Sequence, residues 1–182
     1  MYCCIVVLHI IFYSIFSYSM KKITFHSKPE ERKLTQKTKQ AFTNNTQLHE
    51  QINILNRIYL DDALLCNKDV YLSELKKKWQ GYKQQDMKHN IFHESYFIEF
   101  DSMIQKMVAS KLRCTYCTTM CYFIYDKSYQ NSQWTLDRID NNKGHTDENT
   151  VISCLQCNLS RGNIDYERFK NAKKISIIRK LA

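Results

Sequence analysis

The chain predicts an α+β protein: a helical N-terminal part followed by a small zinc-stapled strand–strand–helix domain. Three observations predict it. Glycine (Gly81, Gly144, Gly162) and proline (Pro29) are so scarce in 182 residues that little breaks a helix. Two C-x-x-C pairs, Cys114/Cys117 and Cys154/Cys157, bracket a single stretch. Inside that bracket the apolar residues of QWTLDRID and NTVISC adopt a strand's pattern, and two of the three glycines fall within residues 133–162.

Residues 1–20 form a hydrophobic leader. MYCCIVVLHIIFYSIFSYS is close to the roughly 20 residues that cross a bilayer as a helix. Lys21 and Lys22 would keep its C-terminal side cytoplasmic. It lacks the basic leader and small-residue cleavage site of a signal peptide. Met20-Lys21-Lys22 would equally serve as the start of a soluble chain, so a membrane anchor and a dispensable leader both stay open.

Residues 21–110 read as a helical basic region, a candidate arm for positioning DNA. Lys21 to about Asn45 is polar and lysine-rich, a solvated helix or arm. Ile52, Leu55, Ile58, Leu60 and Leu64 then recur at the three-to-four spacing of an amphipathic helix. Lys76, Lys77, Lys78, Trp79 and Lys83 follow, cations interleaved with aromatics that suit phosphates and an unpaired base. The competing reading turns Trp79 and Tyr82 inward and leaves the lysines to solvate a helix. His89 and His93 share a helical spacing without a third ligand nearby. Phe100, Ile104, Met107, Val108 and Leu112 mark another core-facing helix.

Residues 111–182 carry the chemistry. A C-x-x-C pair puts two thiolates on a tight knuckle facing one tetrahedral ion, and two pairs complete a structural Zn²⁺ site. Four of the eight cysteines used in this way, with the rest as packing residues or spare thiols, point to an intracellular, reducing compartment, cytoplasm or nucleus. Trp134 and Leu136 alternate as a half-buried strand, NNKGH is a turn with Gly144 free to take positive φ, and Val151 and Ile152 mark a second strand. From Asn158 onward the chain reads as a helix that Gly162 weakens, with Ile164, Phe169, Ile175 and Ile178 buried. Lys plus Arg is 27 against 18 for Asp plus Glu, a net charge of +9 that favours a polyanionic partner, DNA first with RNA open.

The wording LDRIDNxxGH…N…CxxCNxxRG, with the upstream cysteine pair, resembles the HNH superfamily of ββα-metal endonucleases in its paired-CxxC zinc-knuckle version. The resemblance covers residues 114–163. It implies a DNA endonuclease that hydrolyses phosphodiester bonds through one Mg²⁺ or Mn²⁺ ion, with no small-molecule cofactor. It makes Asp137 and Asn158 ligands of that ion, Asn149 the residue that ties the loop and orients the first strand, and Arg161 a phosphate contact. Arg138 stands where the motif places its histidine base. A guanidinium cannot accept a proton at neutral pH, although it suits a bidentate grip on the scissile phosphate. His145 is the first candidate for base and Asp140 the second, Asp140 also being a candidate metal ligand. His145 could equally cap a turn. The alternative function is a catalytically silent, zinc-stabilised module that binds nucleic acid.

Overall fold

A computed structural model describes residues 30–43 and 47–181. The leader at 1–20 lies outside the described residues. Among those described, no helix is long and apolar enough to cross a membrane. The architecture is α+β. Four helices, α1 (Gln36–Thr43), α2 (Leu48–Tyr59), α3 (Lys68–Lys88) and α4 (Phe100–Ala109), precede an antiparallel hairpin of β1 (Trp134–Arg138) and β2 (Thr150–Cys154). Helices α5 (Leu155–Arg161) and α6 (Tyr166–Leu181) follow it. The register sets Asp137 opposite Val151 and Leu136 opposite Ile152.

The core is continuous across residue 110. Leu55, Tyr71, Leu75, Met103 and Met107 from the helices join Leu112, Trp134, Leu136 and Ile152 in one buried cluster. A buried polar tie reinforces the join: the Gln51 side chain of α2 accepts from the backbone N–H groups of Phe123 and Ile124, both at 3.0 Å, and donates back to the Ile124 carbonyl. Both polar atoms of the amide are hydrogen-bonded, which offsets the cost of burying it.

Strand β1 departs from the half-buried expectation, because Trp134, Thr135, Leu136 and Asp137 are all buried. Helix α3 covers one face, where the Leu136 N–H donates to the Tyr82 hydroxyl and the Tyr82 ring meets Trp134 edge-on. Helix α5 closes the other, with Asn158 donating to Thr135 and Arg161 paired to Asp137. A strand covered on both faces loses its alternation.

Other expectations are corrected at helix ends. Leu60 and Leu64 are exposed, because α2 stops at Tyr59 and Asp61 turns the chain with φ of 54°. The C-terminal helix is two helices, broken at Gly162, whose φ of 49° favours glycine. Phe169 packs against Tyr116, but Ile164, Ile175 and Ile178 are exposed; the last two lie where α6 runs out past the core. Gly144 does not take positive φ. Its glycine serves a close approach instead, described below.

Candidate functional site

The four cysteines of the two C-x-x-C pairs come together. Their sulfurs all lie within 4.8 Å of one another, with Cys117 and Cys154 Sγ 3.8 Å apart. Tetrahedral zinc at a Zn–S distance of about 2.3 Å demands an S···S edge of ~3.8 Å, so the cluster fits a structural Zn²⁺ ion. Thiol hydrogen bonds from Cys154 and Cys157 hold the Cys114 thiol far below its ordinary range, while the bond to Cys114 pushes Cys154 up to about 12. A divalent cation bound here would let the crowded thiols ionise together, since metal ligation requires the thiolate form. Cys121 is buried outside this group, and among the described residues no other His, Cys, Asp or Glu cluster could hold a metal. His89 caps the end of α3 and His93 lies beyond it, so they share no helix face.

The knuckle reaches directly to Asp137. Tyr116, between the first two cysteines, donates to Asp137 Oδ2 at 2.5 Å. Burial and then this carboxylate keep the Tyr116 phenol protonated, well above its usual range. Arg161 grips the same carboxylate from α5, Nε to Oδ2 at 2.9 Å and Nη2 to Oδ1 at 3.0 Å. Burial works against the guanidinium charge, but the hydrogen bonds and charge of Asp137 outweigh it and its pKa is raised. The rest of Arg161 donates to the Arg138 and Ile164 carbonyls and to Asn141. With 3% of its surface exposed, Arg161 is not an outward phosphate contact but the bolt between α5 and β1.

This bears on the divalent ion that the sequence reading assigns to Asp137 and Asn158. Of the carboxylate's approximately four lone-pair positions, three are taken by Tyr116 and Arg161. Asn158 spends its amide nitrogen on Thr135, leaving its carbonyl oxygen as the donor. One remaining carboxylate lone pair and one amide oxygen fit a divalent cation only as a weak site, completed by water and substrate phosphate oxygens.

His145 occupies a more pointed position. It is buried in the loop between the strands, with Nδ1 2.7 Å from Asp86 Oδ1 and its backbone N–H donating to Asp86 Oδ2 at 2.6 Å. Tyr82, one turn before Asp86 on α3, lies 4.8 Å from the imidazole centroid. Gly144 makes this approach possible: a Cβ there would stand 2.6 Å from the Ile91 carbonyl oxygen and 3.0 Å from Asp86 Oδ2. Among the described residues Nε2 has no hydrogen-bond partner and no buried side-chain nitrogen or oxygen is left unpaired, so Nε2 is not sealed off. His145 lines two cavities, one of about 400 Å³ shared with Asp86 and Ile91 and a smaller one shared with Asp137. The smaller, about 280 Å³, is lined by Tyr82, Gln85, Asp137, Arg138, His145 and Asn158 among others. Arg138 lies on its rim, with Nη1 bonded to the Lys143 carbonyl and 3.7 Å from Asp86 Oδ1.

Asn149 holds the loop that carries His145. Its amide donates to the Asp140 and Gly144 carbonyls, both at 3.0 Å, and its Oδ1 accepts from the Asp140 N–H. Asp140 faces a neighbouring cavity, where its carboxylate closes a turn on the Asn142 N–H and approaches Lys143. It lines neither cavity beside His145.

The α3 cluster resolves against a nucleic-acid platform at two positions. Trp79 is half-buried, packs its ring beside Phe97 and Phe100 and donates its indole N–H to the Ile98 carbonyl, which turns it toward the core. Lys78 points inward, bonded to Gln133, Tyr125 and the Trp134 carbonyl. Lys77 pairs with Glu74, and Lys76 and Lys83 lie over the rings of Phe100 and Phe92. Inward aromatics are what a helix wedged between α4 and β1 requires.

Comparison with protein-family models, with curated proteins and with solved structures finds no match to this chain. Sequence reasoning missed Asp86 and Tyr116, and it considered Tyr82 only as a core or base-stacking residue, not as a neighbour of His145. An acid within a lysine-rich helix reads as solvated charge, and the only available signal was Tyr82 and Asp86 at the i, i+4 spacing of one face.

Proposed function

We propose that the protein is a nuclease of the HNH kind, hydrolysing phosphodiester bonds in DNA, with RNA as the second substrate class. The reading is carried by one observation: a single cavity is lined by His145, Arg138, Asp137 and Asn158, beside a zinc-fitting knuckle. His145 Nε2 takes a proton from water. The oxygen of that water bonds to phosphorus as the bond to the leaving oxygen breaks. The leaving alcohol collects a proton from solvent, and His145 returns its own proton to solvent. Arg138 faces the phosphate with a charge that neither titrates nor takes part in proton transfer. Asp137 and Asn158 would hold a Mg²⁺ or Mn²⁺ ion, which when bound neutralises charge on the phosphorane and the departing oxygen. The net charge of +9 supports a polyanionic substrate.

The second reading, a silent zinc-stabilised module that binds nucleic acid, is favoured by the engagement of Asp137 with Arg161 and Tyr116. Nicking of supercoiled plasmid in Mg²⁺ or Mn²⁺ decides between them. The enzyme reading expects His145→Ala to lower the rate by about 10²–10⁴-fold, the usual worth of a general base. Asn158→Ala also slows nicking, and Asp140→Ala leaves it near wild type. Gel-shifted DNA that no metal renders nicked assigns the chain to the silent module.

A further inference from the structure

We infer that Asp86, on a helix outside the hairpin unit, is the positioning residue of His145, fixing its Nδ1–H tautomer so that Nε2 keeps its lone pair. This rests on the proposed nuclease reading for its catalytic meaning. The juxtaposition itself is structural.

Asp86 is fully buried, 0% exposed, in the last turn of α3. Neither circumstance favours a carboxylate. Burial strips its hydration, and the carbonyls at a helix C-terminus repel negative charge. Local helix energetics therefore do not explain why an acid sits there. Its partners do. Oδ2 accepts the His145 N–H and Oδ1 faces Nδ1, so one carboxylate fixes both the backbone and the ring of the same residue. Because the ionised carboxylate only accepts, Nδ1 must carry the proton. The backbone is held from the other side too, where the Ile98 N–H donates to the His145 carbonyl at 2.8 Å. Tyr82 holds the plane of the imidazole. When Nε2 takes a proton, the imidazolium forms against a carboxylate that is already in place and needs no reorganisation.

Asp86→Asn is the isosteric test. The His145 N–H is an obligate donor, so the Asn oxygen stays on it and the Asn amide nitrogen turns to Nδ1. That nitrogen donates, which drives the ring proton to Nε2 and removes its lone pair, the wrong-tautomer effect known for buried Asp–His pairs. In the full chain, imidazole ¹⁵N shifts of His145 are expected to report Nδ1–H in wild type and Nε2–H in Asp86→Asn. The plasmid nicking rate constant should fall by at least ~10²-fold with KM near wild type and an unchanged melting temperature.

A wild-type ring protonated at Nε2, or a tautomer that Asp86→Asn leaves alone, overturns the inference. So does a variant with the inverted tautomer that nicks at the wild-type rate. If wild type nicks nothing, the nuclease reading fails separately and the shifts alone decide the pair. If Asp86→Asn does not fold, the wild-type tautomer still decides it.

Discussion

Two carboxylates are buried, one on β1 and one against His145, and they differ in the cation each grips most closely. Asp137 on β1 is locked to Arg161, whose charge is permanent at any pH the fold survives. Asp86 on α3 is bonded to His145 at 2.7 Å, with the Arg138 guanidinium farther off at 3.7 Å. The first pair fastens elements: it ties α5 and, through Tyr116, the cysteine knuckle to the strand. The second joins elements as firmly, but its partner keeps a ring nitrogen, Nε2, unpaired among the described residues. Similar burial thus serves a fixed joint in one place and a histidine with an unpaired ring nitrogen in the other. Motif position singles out Asp137, whereas the proposed nuclease reading assigns the proton transfer to His145 and its positioning to Asp86.

The largest effect should come from the knuckle, because it supports the Asp137 side and only indirectly the Asp86 side. Structural zinc contributes about 10–16 kcal/mol of binding free energy in small peptides, and here that is folding energy. Metal analysis should find about one zinc per chain. Cys157→Ser should strip hydrogen-exchange protection from the β1 and β2 amides more than from α2 and α4. Equal loss throughout would mean that the continuous core ties the two carboxylates into one cooperative unit. Unchanged protection would mean that zinc does not staple the hairpin.

Next in size is the fixed pair. Asp137→Ala leaves the Arg161 guanidinium buried without its charge partner, a loss of about 3–5 kcal/mol, measurable by urea unfolding. Replacing both, Asp137→Leu with Arg161→Met, should cost much less, since no orphan charge remains. On the proposed nuclease reading Asp137 also holds the divalent ion, so Asp137→Asn should slow nicking even where unfolding is unchanged; nicking at the wild-type rate would leave Asp137 a fixed joint alone.

Gly144→Ala probes the other pair from the loop side. The added methyl meets backbone at Ile91, which cannot swing away, so the loop must withdraw from Asp86. Overpacking of this kind costs about 1–3 kcal/mol. Nicking should fall more than stability does, because the displaced group is His145. A variant that nicks at full rate would show that the 2.6 Å bond from the His145 N–H to Asp86 is dispensable for the chemistry.

Why one half of this arrangement was legible in the sequence and the other was not has a physical reason. The hairpin is built from local spacing: C-x-x-C pairs, alternating apolar residues and a motif order all lie within about fifty residues, and each reads independently of the rest of the fold. Asp86 and His145 are 59 positions apart, and only the packing of α3 across the hairpin brings them together. Trp79 stayed undecided between inward packing and a stacking platform for the same reason, because whether an aromatic faces solvent depends on what covers its helix. Ile175 and Ile178 failed in reverse, since helical spacing says which residues share a face but not whether the core extends to meet them. Gly144 was noticed for the right residue and the wrong property, φ instead of close approach.

The smallest predicted effect concerns a third buried charge that has neither kind of anionic partner. The Lys78 ammonium is surrounded by neutral groups, the Gln133 amide, the Tyr125 hydroxyl and the Trp134 carbonyl, with the Tyr125 and Trp134 rings beside it. Burial, and then repulsion from Arg32, lowers its pKa from 10.5 to about 7. In the unfolded chain it returns to the ordinary value, so between pH about 7 and 10.5 the unfolded state holds the extra proton. Stability therefore rises with pH across that window, and below it the full penalty of burying the charge is present. In Lys78→Met the rise should disappear. Urea unfolding of zinc-saturated protein at several pH values from 7 to 10 should show wild type gaining on the variant at each step, because cysteine titration is common to both and cancels in the difference. Parallel curves would mean that Lys78 keeps its proton at neutral pH. In that case the dipoles of Gln133, Tyr125 and Trp134 stabilise the ammonium as well as a carboxylate would.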